Sequence, residues 1–243
     1  MTHDFNPDLK RIRLFFTQPH GCSYLPGREA TTAFVDPATR IDPEIYSQLT
    51  RLGFRRSGRY YYQPRCQSCN ACVSARIPVA EFHPSRQQRR CLQRNSDLDI
   101  EVKAQVDTGE HYRLYDRYIK QRHKDGDMFP PSREQYLDFL GNGIDITRFI
   151  EFRLAGKLVG CTVLDQLEDG FSAIYTYYAP DSGQRSIGTL AVLTLVSQAL
   201  ELQLPYVYLG FWIKNCDKMA YKSRFRPLEL LVGDRWLKSD QHT

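Results

Sequence analysis

The sequence predicts a mixed α/β chain of the α+β kind, a sheet with flanking helices, and three observations carry that expectation. Helix start and stop residues recur along the first two thirds, period-two alternation with tight glycine turns dominates from Asp145 onward, and a long apolar helix lies between the last strands. With 243 residues, 42% of them hydrophobic, the chain can bury a core in one large domain or two small ones. A run of about 18 apolar residues, which a membrane span needs, is absent. The polar, charged stretch from Met1 to Arg13 has no signal-peptide core, so a cytosolic location with reduced thiols is expected. Seven cysteines, an odd number, also argue against a complete disulfide framework.

Asp42-Pro43 followed by Glu44-Ile45-Tyr46 and ending before Gly53 predicts the first helix: a capping carboxylate, proline at the first position, glycine at the end. Arg59 to Tyr62 reads as a strand broken by Pro64, and Val73 to Val79 as another, with Cys66-x-x-Cys69-x-x-Cys72 on the loop between them. Ser85 caps a short basic helix to Arg94, Ile100 to Val106 alternates as a strand, and two helices follow, Glu110 to Lys124 and Glu134 to Leu140, the second opened by a Ser132-x-x-Gln135 capping box. Arg148 to Leu154 turns at Ala155-Gly156-Lys157 into Leu158 to Leu167, which turns at Glu168-Asp169-Gly170 into Phe171 to Tyr178. A helix from Gly188 to about Gln203 stops at Pro205 and passes into the strand Tyr206 to Leu209. A basic helix around Lys214 to Lys222 and a strand Leu228 to Val232 close the chain. The expected division is a Cys/Arg-rich N-terminal subdomain, residues 1–100, and a catalytic domain, residues 101–243.

Three antiparallel strands, helix, strand, helix, strand is the order of the C-terminal part of an acyl-CoA N-acyltransferase fold, an analogy that suggests acyl transfer. In that fold the loop before the long helix cradles the CoA pyrophosphate on backbone N–H groups and needs small residues for close approach. Here it reads Arg185-Ser186-Ile187-Gly188-Thr189-Leu190, and Leu190 stands where a small residue is expected. The segment Arg51 to Arg94 carries ten arginines, no lysine and one acid, Glu81, hence +9 against +5 for the whole chain. A poor CoA loop beside an arginine-rich segment points to another activated acyl donor, and the reactive ester and phosphate backbone of an aminoacyl-tRNA fit both.

The residues Phe16-Thr17-x-x-His20-x-Cys22-x-Tyr24-Leu25-Pro26-Gly27-Arg28 resemble the start of the bacterial aspartate/glutamate leucyltransferases, a branch of the arginyl-tRNA-protein transferase family. Gly53-Phe54-Arg55-Arg56-Ser57-Gly58, the run from Tyr62 through Cys72, and Arg76-Ile77-x-Val79 resemble the same N-terminal region. Tyr208-Leu209-Gly210-x-Trp212-Ile213-x-x-Cys216-x-Lys218-Met219-x-Tyr221-Lys222 and Arg226-Pro227-Leu228-Glu229 resemble its C-terminal signature. These blocks, with Ser186-Ile187-Gly188, span nearly the full length in the right order. One departure stands out: Tyr178-Ala179-Pro180 replaces the family's Tyr-Asp-Pro, with Asp181 one residue late. The resemblance implies transfer of leucine from leucyl-tRNA to the α-amine of proteins beginning with Asp or Glu, which creates an N-terminal degradation signal.

Such a reaction requires positioning and oxyanion stabilisation more than a strong base. In the N-acyltransferase fold two neighbouring strands splay to admit the acyl group, here Ala173 to Tyr178 and Tyr206 to Leu209, with the hydroxyl of Tyr177 or Tyr178 expected to polarise the ester. The acidic acceptor calls for a cation among Arg55, Arg56, Arg76, Lys218, Lys222, Arg224 and Arg226, since an arginine fork suits a carboxylate best. Arg86, Arg89, Arg90 and Arg94 lie broadly on one helix face and are expected to contact tRNA phosphates. Cys66, Cys69 and Cys72 make three quarters of a four-thiolate set, with Cys22 the natural fourth ligand and His20 a substitute; zinc, an iron–sulfur cluster or simple packing of reduced thiols all fit the spacing. The transfer itself is expected to need no cofactor. Two other readings stand beside this one: a CoA-dependent N-acetyltransferase, disfavoured by Leu190, and a non-catalytic zinc-dependent RNA-binding protein.

Overall fold

In chain order the strands and helices are β1 (Leu14–Phe16), β2 (His20–Gly21), β3 (Glu29–Ala30), β4 (Thr32–Val35), α1 (Pro43–Arg51), β5 (Arg55–Ser57), β6 (Tyr60–Pro64), β7 (Val73–Pro78), α2 (Arg86–Arg94) and β8 (Asp99–Lys103). They continue as α3 (Thr108–Arg122), α4 (Arg133–Tyr136), β9 (Thr147–Leu154), β10 (Lys157–Leu167), β11 (Gly170–Tyr178), α5 (Ile187–Glu201), β12 (Tyr206–Trp212), α6 (Asp217–Ala220), β13 (Glu229–Val232) and β14 (Arg235–Lys238). This computed structural model describes residues 12–239. The chain is mixed α/β, and it divides into two units that interleave along the sequence. The first unit holds the chain up to Phe82, Leu167–Ser172 and everything from Pro205; the second holds His83–Gln166 and Ala173–Leu204. The division therefore differs from a single boundary near residue 100. The physical reason is strand pairing: β12 runs antiparallel to β7, from Tyr206 opposite Pro78 to Trp212 opposite Val73, so the last part of the chain returns onto the N-terminal segment.

In the first unit a four-stranded sheet takes the order β1-β4-β6-β5. Helix α1 forms because the Asp42 carboxylate accepts from the Ile45 N–H at 2.8 Å, Pro43 supplies the first position, and Gly53 just beyond the end adopts a φ of 90°. Its Ile45 and Leu49 close a small core with Val35 and Phe54, each such side chain stabilising by about 1.5–3 kcal/mol on full burial. Strands β2 and β3 pair with each other, and the remaining strands of this unit follow the order β14-β13-β7-β12 and then the first three residues of β11, where Gly170, Phe171 and Ser172 pair in parallel with Tyr206, Val207 and Tyr208. The strand expected to end at Leu209 runs to Trp212, and β14 continues the hairpin after β13.

The second unit is built on the antiparallel strands β8, β9 and β10, followed by the remainder of β11. Helix α2 opens with a full capping box between Ser85 and Gln88, as its sequence predicts for a helix entry. Helix α5 is buried on nearly all sides, from Ile187 through Leu190–Val196 to Ala199, which explains why its sequence is apolar without a polar stripe. The capping Ser132 accepts from Gln135 N–H as expected, but α4 is a single turn that continues as a π-helical turn, Leu137–Gly141.

Candidate functional site

Two buried cations of the first unit meet at a break in β12. Its pairing with β7 shifts register between Tyr208 and Gly210, a β-bulge, and Gly210 takes a φ of 80° that L side chains rarely adopt. A Cβ at this position would lie 3.3 Å from the Arg55 Nε, so the guanidinium lies directly against the bulge. Beyond it the Phe211 carbonyl accepts from the Lys222 ammonium, and Met219 Sδ lies 3.3 Å from the same nitrogen.

Arg55 and Lys222 are 7% and 4% exposed, so both cations are removed from water. Burial, and then the positive charge of Arg55, lowers Lys222 from the ordinary lysine range to about 7. Arg55 Nη1 donates to Ser172 Oγ at 3.1 Å, and the Tyr46 hydroxyl donates to the same oxygen at 3.4 Å. Tyr62, packed edge-on against Phe211 at 6.0 Å, has its phenol raised by burial and lowered by Arg55, with a net rise. No carboxylate lies against Lys222 among the described residues. An arginine fork and a lysine brought together out of water form a site that an entering carboxylate would neutralise.

Of the seven cations expected at the acceptor site, Arg55 and Lys222 are the pair brought together in this way. Arg76 is tied to Glu229 through a 2.7 Å ion pair and stacked between the rings of Tyr206, at 3.5 Å, and Trp236, at 4.3 Å. Arg56 is buried and donates to the Gly58 carbonyl at 2.6 Å, while Lys218, Arg224 and Arg226 are exposed. Sequence reading did not single out Tyr46, Ser172 or the bulge. The available signal was an isolated glycine inside a strand, which marks a bulge or a close approach.

The N-terminal thiols Cys22, Cys66, Cys69 and Cys72 are all reduced and half-buried. The Cys72 thiol is pushed up to about 11, by burial first and then by Cys66, Cys22, Cys69 and Cys216 nearby. Soft donors thus converge on Cys72, yet among the described residues no group of three or more His, Cys, Asp or Glu has a metal-holding arrangement. His20 is exposed, with Nδ1 3.1 Å from the Gln18 carbonyl.

In the second unit Tyr177, expected to polarise an ester, is fully buried and its hydroxyl is engaged. His111 Nδ1 lies 2.7 Å from it and Tyr136 Oη 3.2 Å, while His111 Nε2 meets Glu151 Oε1 at 2.8 Å. Burial lowers His111 and keeps the ring neutral, so Nε2–H donates to Glu151 and Nδ1 accepts from Tyr177. Burial raises Glu151, but the Arg153 and His111 contacts outweigh it and hold the carboxyl below its usual range. Arg153 completes the chain through Glu151 at 2.7 Å and Glu110 at 2.8 Å. Tyr178 is half-buried against Tyr118, ring centroids 4.8 Å apart.

Arg86, Arg89, Arg90 and Arg94 are exposed along α2, with Arg89 donating to Pro84 O at 2.6 Å and Arg94 to Gln184 O. Leu190 is buried in α5, Ala179 is buried with its N–H on Val159 O at 2.8 Å, and Asp181 is exposed, 3.6 Å from Arg117.

Two family profiles match: one described as "Arginine-tRNA-protein transferase, N terminus" over residues 20–90, and its C-terminal counterpart over residues 110–232. A protein of Pseudomonas fluorescens named aspartate/glutamate leucyltransferase is 52% identical over 230 residues, 95% of this chain and 98% of its own. One of the same name from Marinobacter nauticus is 53% identical over 229 residues, 94% and 97% of the two chains. Among solved structures, a conserved protein of unknown function from Bacteroides thetaiotaomicron has a TM-score of 0.50 at 13% identity, covering 65% of this chain and 57% of that one, a likeness of fold alone. With both halves matched and near full-length relatives more than half identical, the chain belongs to the arginyl-tRNA-protein transferase family, in the branch of the aspartate/glutamate leucyltransferases.

Proposed function

We propose that this transferase moves leucine from leucyl-tRNA onto the α-amine of proteins whose first residue is Asp or Glu. The observation that carries the acceptor half is the burial of Arg55 beside Lys222 at the β12 bulge, a site that an Asp or Glu side chain would neutralise. The amine nitrogen attacks the ester carbonyl, a C–N bond forms, the bond to the ribose oxygen breaks, and that oxygen leaves with a proton. An α-amine titrates near about 7.7–8.0, so a useful fraction is already neutral near pH 7 and the protein's task is to hold the reactants together. The exposed arginines of α2 are the proposed phosphate contacts. The product would carry an N-terminal leucine that marks it for degradation in the cytoplasm. No helix among the described residues is long and apolar enough to cross a membrane.

The decisive experiment offers the purified protein a panel of charged tRNAs, and acetyl-CoA, together with peptides beginning with Asp, Glu, Asn or Lys. Leucine incorporation confined to the Asp and Glu peptides is the expected result. Absence of leucine at those two peptides would falsify this reading, and acetyl transfer would revive a CoA-dependent enzyme.

A further inference from the structure

We propose that one face of the four-stranded sheet of the first unit is a stacking platform for the unpaired 3′-terminal nucleotides of the tRNA donor, an inference that rests on the aminoacyl-tRNA reading above. Phe15 of β1 lies opposite Phe34 of β4, Phe34 opposite Tyr62 of β6, and Tyr62 opposite Arg55 of β5. Residues directly opposite on paired strands share a face, and so does Tyr60, two residues from Tyr62. The result is a row of rings across three strands that ends at Arg55 on the fourth, spanning roughly 14 Å at about 4.8 Å per strand.

The Phe34 ring sits 5.9 Å from Tyr62 and 6.2 Å from Tyr60. The row is open at Phe15 on β1, 56% exposed, and at Tyr60 on β6, 38% exposed, while Tyr62 is covered by Phe211 and the row ends at the buried Arg55. The opposite face packs against α1 through Val35 and Tyr61, although at the edge strand β1 its Leu14 and Phe16 are exposed as well.

Exposed aromatic rings at a sheet edge cost free energy unless something flat covers them, and the charge around this row says what that is. The Arg59 guanidinium lies over the Tyr60 ring, 5.1 Å from its centroid, and Arg13, Arg28 and Arg65 are exposed on the flanking segments, against the acids Glu29 and Asp36. Flat faces with an anionic backbone are the properties of a single-stranded nucleic acid, and base stacking on aromatic side chains tolerates any sequence because every base has a π-face. Four-stranded RNA-recognition sheets use surface aromatics to stack two or three bases in the same physical way. The row also leads to Arg55, so a 3′ end lying along it would deliver its ester toward the cation proposed to hold the acceptor.

The test measures binding of a labelled single-stranded RNA ending in CCA, and the KM for leucyl-tRNA and for an Asp-initiated peptide, in the full chain and in Phe15→Ala, Tyr60→Ala and Phe15→Trp. Each alanine variant should bind the RNA about ten-fold more weakly with an unchanged salt dependence. Phe15→Trp should keep the affinity, and its added emission should fall when RNA binds. The KM for leucyl-tRNA should rise with the alanine variants while that for the peptide stays constant. Full RNA affinity in both alanine variants overturns the platform, as does a rise confined to the peptide KM, which would make the edge strand a peptide-docking site. Ring-dependent RNA binding without any leucine transfer by the parent protein sinks the donor assignment alone.

Discussion

Two buried polar clusters, one in each unit, differ in how their charges are matched. Around His111 the second unit sets Glu151 against Arg153 and a neutral imidazole, with Arg153 also held by Glu110, so the charged groups have opposite partners at hydrogen-bond distance. Around the β12 bulge the first unit brings Arg55 and Lys222 together, and Lys222 meets a carbonyl and a thioether instead of an acid. A matched buried cluster fixes a fold, whereas burying Lys222 with no carboxylate against it among the described residues costs stability. Of the two tyrosines expected to polarise the ester, Tyr177 and Tyr178, Tyr177 belongs to the matched cluster. Two of the cations expected at the acceptor site form the other.

The largest effect should come from breaking the matched cluster. Glu151→Ala leaves Arg153 and His111 without their shared partner, and loss of one member of a buried pair costs about 3–5 kcal/mol, which chemical denaturation would read as a lowered midpoint at unchanged slope. Because the folded Glu151 pKa is depressed, its stabilising share is complete above the unfolded value and fades as pH falls through the folded one. A stability equal to that of the parent protein would mean the cluster is not a structural unit.

A middling and opposite pattern is expected at the bulge. Lys222→Met should keep or raise stability while erasing the preference for Asp over Asn peptides, a loss of about ten-fold or more if one charge-assisted hydrogen bond worth about 1.5–3 kcal/mol is involved. With Lys222 folded near 7 against an ordinary lysine value, stability is undiminished above the unfolded pKa, declines as pH falls toward about 7, and is flat below it. The advantage of Lys222→Met should therefore be greatest near neutral pH and shrink toward pH 10. Retained Asp-over-Asn discrimination in that variant would remove Lys222 from the acceptor site.

The smallest effect concerns neither cluster. Arg94→Gln on α2 should leave stability and peptide preference alone, weaken tRNA binding modestly, and reduce the slope of log affinity against log salt by about one. An unchanged slope would place the phosphate contacts elsewhere.

What the sequence made legible was local. The caps at Asp42, Ser85 and Ser132 and the turns at Gly156 and Gly170 announce α1, α2, α4 and the three long strands, because each is governed by residues within one turn. The short strands β1 to β5 escaped, since a stretch such as Leu14-Phe15-Phe16 has no alternation and becomes a strand only by pairing with Thr32–Val35. Interleaving of the units was likewise hidden, because it follows from pairing β7 with β12 across more than half the chain. The candidate site was half legible: arginines and lysines in the family blocks were visible as types, but which of them lose water depends on the packing around Gly210 and Phe211, and the neutralising role of Glu229 toward Arg76 depends on the register of β13 against β7.

The bulge in β12 acts as a frameshift in three dimensions. A regular strand alternates its side chains between two faces without exception, so one extra residue exchanges the faces of everything downstream. Tyr206 and Tyr208 obey one phase of that alternation and Phe211 the next, and the phase change leaves a backbone oxygen pointing where a lysine can find it. A single small residue thereby decides which side of the sheet the last part of the strand addresses, and its neighbours could be exchanged for others of like size more readily than it could be removed.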